Sequence, residues 1–287
     1  MSFAQIIFLF LINSLILQAD FMKKYLILFA FIPALFSCNE YQKLLKSSDT
    51  ELKYTKAVDY FDKGDYMRAQ TLFDEVSTYY RGTERSEVLL NYIARSYMGQ
   101  KDYYSASEYF KVYVRTYPKG RYVQESKFMI GYCYFLDSPD ARLDQTATKN
   151  AIEALQEFVD IYPENERVPE ANNLMDELKD KLAYKEYLNA RLYYNLGNYL
   201  GNNYLSAIIV AQNALRDYPA TQYREDISMI VLESKYQQAV QSIQERIQER
   251  YTETIDEYYS FINEFPTGKH RRQADRIFRD ARKVVKE

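Results

Sequence analysis

The residues of this chain that could carry covalent or proton chemistry are few and isolated. His270 is the sole histidine. A Ser–His or Cys–His nucleophile, a His-rich zinc site and most imidazole-based proton transfers therefore lack their central group. The two cysteines are Cys38 and Cys133. Cys133 lies in the apolar helical run Phe128-Met129-Ile130-Gly131-Tyr132-Cys133-Tyr134, where a thiol behaves as a small hydrophobe. Carboxylates such as Asp59, Asp62 and Asp65, or Asp102 with Glu108, would need a cleft that raises one pKa before they could share acid–base work. They fall on turns and polar helix faces, where solvation is the expectation. The sequence thus predicts no catalytic residue, no metal site, no cofactor and no enzyme.

Cys38 has a different context. From Met22 the chain reads Lys23-Lys24, an uncharged apolar run Tyr25 to Phe36, then Ser37-Cys38, the basic, apolar and small-residue regions of a secretory signal. Leu35-Phe36-Ser37-Cys38 resembles a bacterial lipobox, with Phe36 bulkier than usual. The expectation is a signal over 22–37, lipidation at Cys38 and a polar tether over 38–50. An acylated cysteine contributes about 0.8 kcal/mol for each buried CH₂ and so anchors a protein to a membrane. Lipidation of Cys38 also leaves Cys133 without a disulfide partner in an oxidising compartment. Met1 to Ala19 is uncharged and apolar too. Residues 1–21 read as an upstream extension of the signal, with an amino-terminal membrane-spanning helix as the alternative.

The elements behind these residues must be helices. Only 8 Gly and 7 Pro punctuate the 287 residues, while 30 Tyr and 16 Phe accompany no Trp; that leaves little for turns and much for interlocked aromatic packing. Tyr117-Pro118, Tyr162-Pro163, Tyr218-Pro219 and Phe265-Pro266 each close an amphipathic stretch. Twelve residues before each proline stands a small residue, Ala106, Ala151, Ala207 or Thr254, and an earlier copy without proline is anchored on Ala69. Upstream of these lies a second helical stretch marked by Ala57, Ala94, Gly131, Ala190 and, more loosely, Glu233. The anchors are separated by 37, 45, 56 and 47 residues, longer than the ~34 of a tetratricopeptide unit but of the same helix–turn–helix kind. The fold class is all-α, a tetratricopeptide-like superhelical solenoid of five helix pairs over 51–287 with a C-terminal capping helix. Its units run about 51–82, 86–119, 122–165, 170–220 and 222–287. Extra length is expected around Asp137 to Asp140, at Asn198 to Asn203, and in a helix from Ala171 to Lys185.

An exported Cys, a short polar tether and five such units ending in Tyr-Pro together resemble the BamD family of outer-membrane protein assembly lipoproteins. The similarity is greatest at Ala57 to Phe73, Phe158 to Pro163, and Ala190 to Tyr194 followed by Asn213 to Pro219. Departures are Arg81 where a proline is expected, a five-residue excess in unit four, and Thr254 in place of Ala. The resemblance implies a lipid-anchored scaffold on the periplasmic face of the outer membrane. It implies as partners a BamA-like barrel protein with POTRA repeats, unfolded β-barrel outer-membrane proteins and other Bam-type lipoproteins. Another tetratricopeptide envelope lipoprotein, an adaptor in cell division or nutrient uptake, is the competing reading.

Two surfaces follow from repeat position. The inward side of the first helices would present Tyr54, Phe61, Asn91, Arg95, Met98, Phe128 and Tyr132, where rings grip side chains and amide or guanidinium groups hold a peptide backbone or carboxylate. For Tyr54, Phe128 and Tyr132 a core position is the competing reading; Asn91 and Arg95 suit a ligand better. The second surface is the last helix. Between Lys269 and Glu287 stand eight Lys and Arg against three acids, although the whole chain carries −3. Arg272, Arg276, Arg279 and Lys283 are expected to dock an acidic partner or anionic headgroups, or merely to complement the helix dipole. No nucleic-acid partner is expected, since its strongly basic footprint is missing.

Overall fold

The computed structural model describes residues 40–285; Cys38, the signal over 22–37 and residues 1–21 lie outside the described residues. The described chain divides into two compact units, one ending at Gln100 and one beginning at Lys101. The cut falls inside the second predicted helix pair, at a Lys101 with φ 63°. Every long element in both is an α-helix.

The first unit holds α1 (Thr50–Asp62), α2 (Tyr66–Ser77) and α3 (Glu84–Gly99), with a helical stretch over 40–45 before them. Asp49 caps α1 by accepting from the Leu52 amide at 2.9 Å, and Asp65 caps α2 by accepting from Arg68 N. A carboxylate at this position satisfies an amide that the helix leaves without an internal acceptor. Gly64, at φ 78°, makes the turn between the two helices in a conformation that side chains disfavour. Within the stretch read as a polar tether, residues 40–45 are helical. Tyr41 packs edge-on against Tyr60 at 5.7 Å, the Arg68 guanidinium covers both rings, and Lys53 donates to the Leu45 carbonyl at 2.8 Å.

The second unit runs through α4 (Tyr103–Thr116), α5 (Val123–Asp137), α6 (Thr146–Ile161), α7 (Val168–Leu196), α8 (Asn203–Asp217), α9 (Arg224–Val240), α10 (Ile247–Glu264) and α11 (Arg271–Arg282). Each helix packs on its neighbours in sequence, and α5 on α7, α7 on α9 and α9 on α11 besides. First helices that touch first helices, with second helices between them, make a tetratricopeptide-like arrangement. The aromatic-Pro dipeptides explain where the second helices stop. Tyr117, Tyr162, Tyr218 and Phe265 take nearly one conformation, φ between −123° and −129° and ψ between 59° and 67°. Each still donates its amide four residues back, to Tyr113, Phe158, Ala214 and Phe261. The following proline pushes the preceding residue out of the α region, so the same dipeptide cuts four helices in the same way.

The small anchors do what close helix packing requires. Ala69, Ala106, Ala151, Ala207 and Thr254 are fully buried, as are Ala57, Ala94 and Ala190. The segment Ala171 to Lys185 is helical, and its extra length makes the first half of α7, a single 29-residue helix that continues through Ala190. Nothing between Pro169 and Gly197 breaks it.

Candidate functional site

In the first unit the predicted inward residues belong to a continuous file of rings. Tyr80 meets Tyr54 at 5.5 Å, Tyr54 meets Phe73 at 6.2 Å, Phe73 stacks on Tyr92 at 5.0 Å, Tyr92 meets Phe61 at 4.9 Å and Phe61 meets Tyr66 at 5.4 Å. Offset and edge-on contacts at these distances stabilise beyond area burial. Tyr54 and Phe61 are thus half-buried parts of the joint between α1, α2 and α3. The file ends in a polar knot that repeat position could not reveal. Tyr80 donates to Glu51 at 2.8 Å, Arg85 donates to the same carboxylate and to the Tyr80 hydroxyl, and its guanidinium lies 5.3 Å from the rings of Tyr54 and Tyr80. The Arg85 and Tyr80 hydrogen bonds hold the Glu51 carboxyl below its ordinary range.

Asn91, on α3, has a distinct status. It is 6% exposed, and its amide nitrogen has no hydrogen-bond partner. An unsatisfied buried donor costs about 1–3 kcal/mol. Arg95 lies one turn further along α3 and is half-buried; Met98 follows it, also half-buried.

Phe128 and Tyr132 belong to the second unit, and Phe128 is not a groove residue. Its ring is 0% exposed, packs on Phe158 at 5.5 Å and is covered by the Arg167 guanidinium at 3.6 Å. Arg167 comes from the turn before α7, a neighbour that repeat position on α5 cannot supply. Tyr132 is half-buried, stacked between Phe128 and Phe135.

On α11 the pattern is sharper. Ala274, Ile277 and Ala281 are buried, while Arg272, Arg276, Arg279 and Lys283 are exposed at helical spacing along one face. Lys283 pairs with Asp280 at 2.7 Å and Arg271 with Asp275 at 2.8 Å. A network missed from sequence ties this helix down. Glu233 of α9, 8% exposed, accepts from Arg191 of α7 at 3.0 Å and from Gln273 of α11. Among the described residues no group of three or more His, Cys, Asp or Glu side chains is placed to hold a metal ion. None of the described helices is long and apolar enough to cross a membrane.

The sequence profile of the YfiO family, described as an outer membrane lipoprotein, matches residues 46–239. The chain belongs to the YfiO family. Among curated proteins it is 32% identical over 152 residues to the outer membrane protein assembly factor BamD of Caulobacter vibrioides, covering 52% of this chain and 49% of that one. It is 28% identical over 146 residues to a putative outer membrane protein assembly factor BamD of Aquifex aeolicus, covering 50% and 48%. The chain thus spans about half the length of the curated relatives it matches. Solved structures similar to it include the TPR2AB-domain:pHSP90 complex of yeast Sti1, at 14% identity and TM-score 0.38 over 82% of this chain and 98% of that one. The P58(IPK) TPR domain follows at 14% identity and TM-score 0.39, over 85% and 67%.

Proposed function

We propose that this YfiO-family protein is a non-enzymatic scaffold of β-barrel assembly at the outer membrane, lipid-anchored through Cys38, that binds a BamA-like barrel protein and unfolded β-barrel substrates. The family match over residues 46–239 carries this reading, and two observations on the chain support it. The buried, unpartnered Asn91 amide beside the half-buried Arg95 suits the backbone carbonyl and carboxylate of an extended peptide. The exposed Arg272, Arg276, Arg279 and Lys283 suit an acidic patch on a folded partner.

The test is purification of the tagged full-length protein from detergent-solubilised outer membranes, followed by mass spectrometry of stoichiometric partners and of the amino-terminal peptide. A POTRA-containing barrel protein recovered together with acylated Cys38 is the expected result, and Arg276→Glu with Arg279→Glu should release that partner. An acylated protein recovered without any such barrel would return the chain to another envelope adaptor.

A further inference from the structure

No charged residue stands between Arg191 and Arg216, in a chain that is 27% charged. This stretch covers the end of α7, the α7–α8 turn and most of α8. Its tip is the most exposed apolar point of the described residues: Leu200 is 90% exposed and Tyr199 69%, with Leu196 and Leu205 exposed on either side. The carboxyl end of α9 lies against the same turn, through Gln238 to Asn202 at 3.2 Å and through Asn198 to Gln241, and adds exposed Val240 and Ile243. Glu245 and Arg246, which follow Ile243, are exposed.

The fold does not account for this tip. Leu200 sits at φ 55°, a conformation that glycine or asparagine adopts more readily than leucine, and its side chain packs on almost nothing. Some of the polar groups of the turn bond one another. Asn203 donates its amide hydrogen to the Gly197 carbonyl at 3.0 Å and its side-chain amide to the Tyr199 carbonyl at 2.7 Å; Asn202 accepts from Leu205 N at 3.2 Å; Tyr199 N donates to the Leu196 carbonyl at 3.0 Å.

The lack of charge over 192–215 favours one kind of occupant. A bilayer offers no partners for a charge below its headgroups, so a segment that reaches its boundary must be free of charge. Tyrosine with leucine at a tip, above asparagines and flanking charges, is also the composition that settles at a membrane–water boundary. A bilayer is at hand, because the chain belongs to a family of outer membrane lipoproteins.

We propose that the α7–α8 turn, with Tyr199 and Leu200 at its tip, inserts into the headgroup–acyl boundary of a phospholipid bilayer as a contact separate from the lipid anchor. The inference needs membrane residence only and does not rest on the assembly role.

The absence of tryptophan from the chain makes the test direct. Tyr199→Trp introduces a single indole at the tip, and Tyr104→Trp introduces one on α4 at 65% exposure in the native residue. The full-length lipidated proteins are reconstituted into phosphatidylcholine liposomes with and without bromine along the acyl chains. The expected result is that Tyr199→Trp emits at shorter wavelength and loses most of its intensity in brominated liposomes, while Tyr104→Trp keeps its intensity. Adding Leu200→Asp to Tyr199→Trp should restore the lost emission with an unchanged circular dichroism spectrum. Equal intensity for Tyr199→Trp in both liposomes overturns the proposal, as does equal quenching of both indoles, which would mean general adsorption. A blue shift that appears only when a co-purified protein is added, without bromine quenching, overturns it in favour of protein docking.

Discussion

Cys133 and Gly131 show how much a single position decides in this array. Burial pushes the Cys133 thiol up to about 12, with the Asp137 carboxylate adding to the effect. An unfolded cysteine ionises near ~8.5, so at pH 8 the native thiol supplies almost no thiolate, the nucleophilic form. Native protein should therefore leave Cys133 unmodified by a thiol–disulfide reagent at pH 8, and urea should expose one rapidly reacting thiol. Rapid native labelling would show that α5 opens locally. At Gly131 an added methyl would lie 2.7 Å from Leu155 Cγ and 3.1 Å from the Leu155 backbone nitrogen. Leu155 is fully buried and cannot swing away. Overpacking of this kind costs about 1–3 kcal/mol, against about 1 kcal/mol of helix propensity gained on leaving glycine. Gly131→Ala should accordingly lower the urea midpoint, and a raised midpoint would mean that α5 and α6 can part without loss. The need for a small residue here was legible, because Ala or Gly recurs at the same place in four of the first helices. The burial of Phe128, three residues earlier, was not, since its lid Arg167 comes from a turn 39 positions further on.

At the level of helices, the legible features were those the repeat imposes and the illegible ones were those that cross it. The aromatic-Pro caps were readable because a local steric rule produces them wherever the dipeptide occurs. Asp65, Asp102 and Asn202 cap α2, α4 and α8 by an equally local rule. The Glu51, Tyr80 and Arg85 knot joins residues 29 and 34 positions apart, and nothing in the spacing announces it. The same holds for Glu233, which occupies the place of a small residue and reads as a defect of the fifth unit. In the structure it is the joint of α7, α9 and α11, through Arg191 and Gln273. With Glu233 largely buried, its loss strands Arg191 and Gln273 next to packed surface. Glu233→Ala should destabilise the protein by about 1–3 kcal/mol, discounted toward the low end because Arg191 keeps 30% of its side chain in solvent. Asp217→Ala, which removes the exposed partner of Arg216, should stay within about 0–1 kcal/mol. Urea unfolding of Glu233→Ala, Arg191→Ala and the two combined measures the coupling, with Asp217→Ala as the surface control; additive effects would sink the idea of a joint.

Ion pairs run along all the described residues, and three of the carboxyls held below their ordinary value, Asp226, Asp275 and Asp280, lie on or against the C-terminal cap. Asp226 of α9 accepts from the His270 ring and from Lys269 at 2.8 and 2.7 Å, and Glu225 accepts from the His270 amide at 2.8 Å. Burial works to raise Asp226, but the His270 and Lys269 hydrogen bonds outweigh it and hold the carboxyl below its ordinary value. Asp275 is lowered by Arg271 and by the Tyr258 hydroxyl, which ties α10 to α11, and Asp280 by Lys283. A carboxyl with a depressed native pKa contributes stability that is complete above its unfolded value, about 3.9 for Asp, and is lost as pH falls through the native value. In the first unit the two signs oppose each other: Arg85 and Tyr80 lower Glu51, while burial raises Asp74, so acid removes a contribution at one and relieves a cost at the other. The cap should therefore loosen first as pH drops from about 5 toward 3. Hydrogen exchange at pH 3 should show protection lost in α11 and at the start of α9 while α5 and α6, around Cys133, stay protected. Asp226→Asn should lower stability at pH 7 and flatten its dependence on pH below 5. Uniform loss of protection over all helices at pH 3, or a slope unchanged by Asp226→Asn, would place the acid sensitivity elsewhere in the charge distribution.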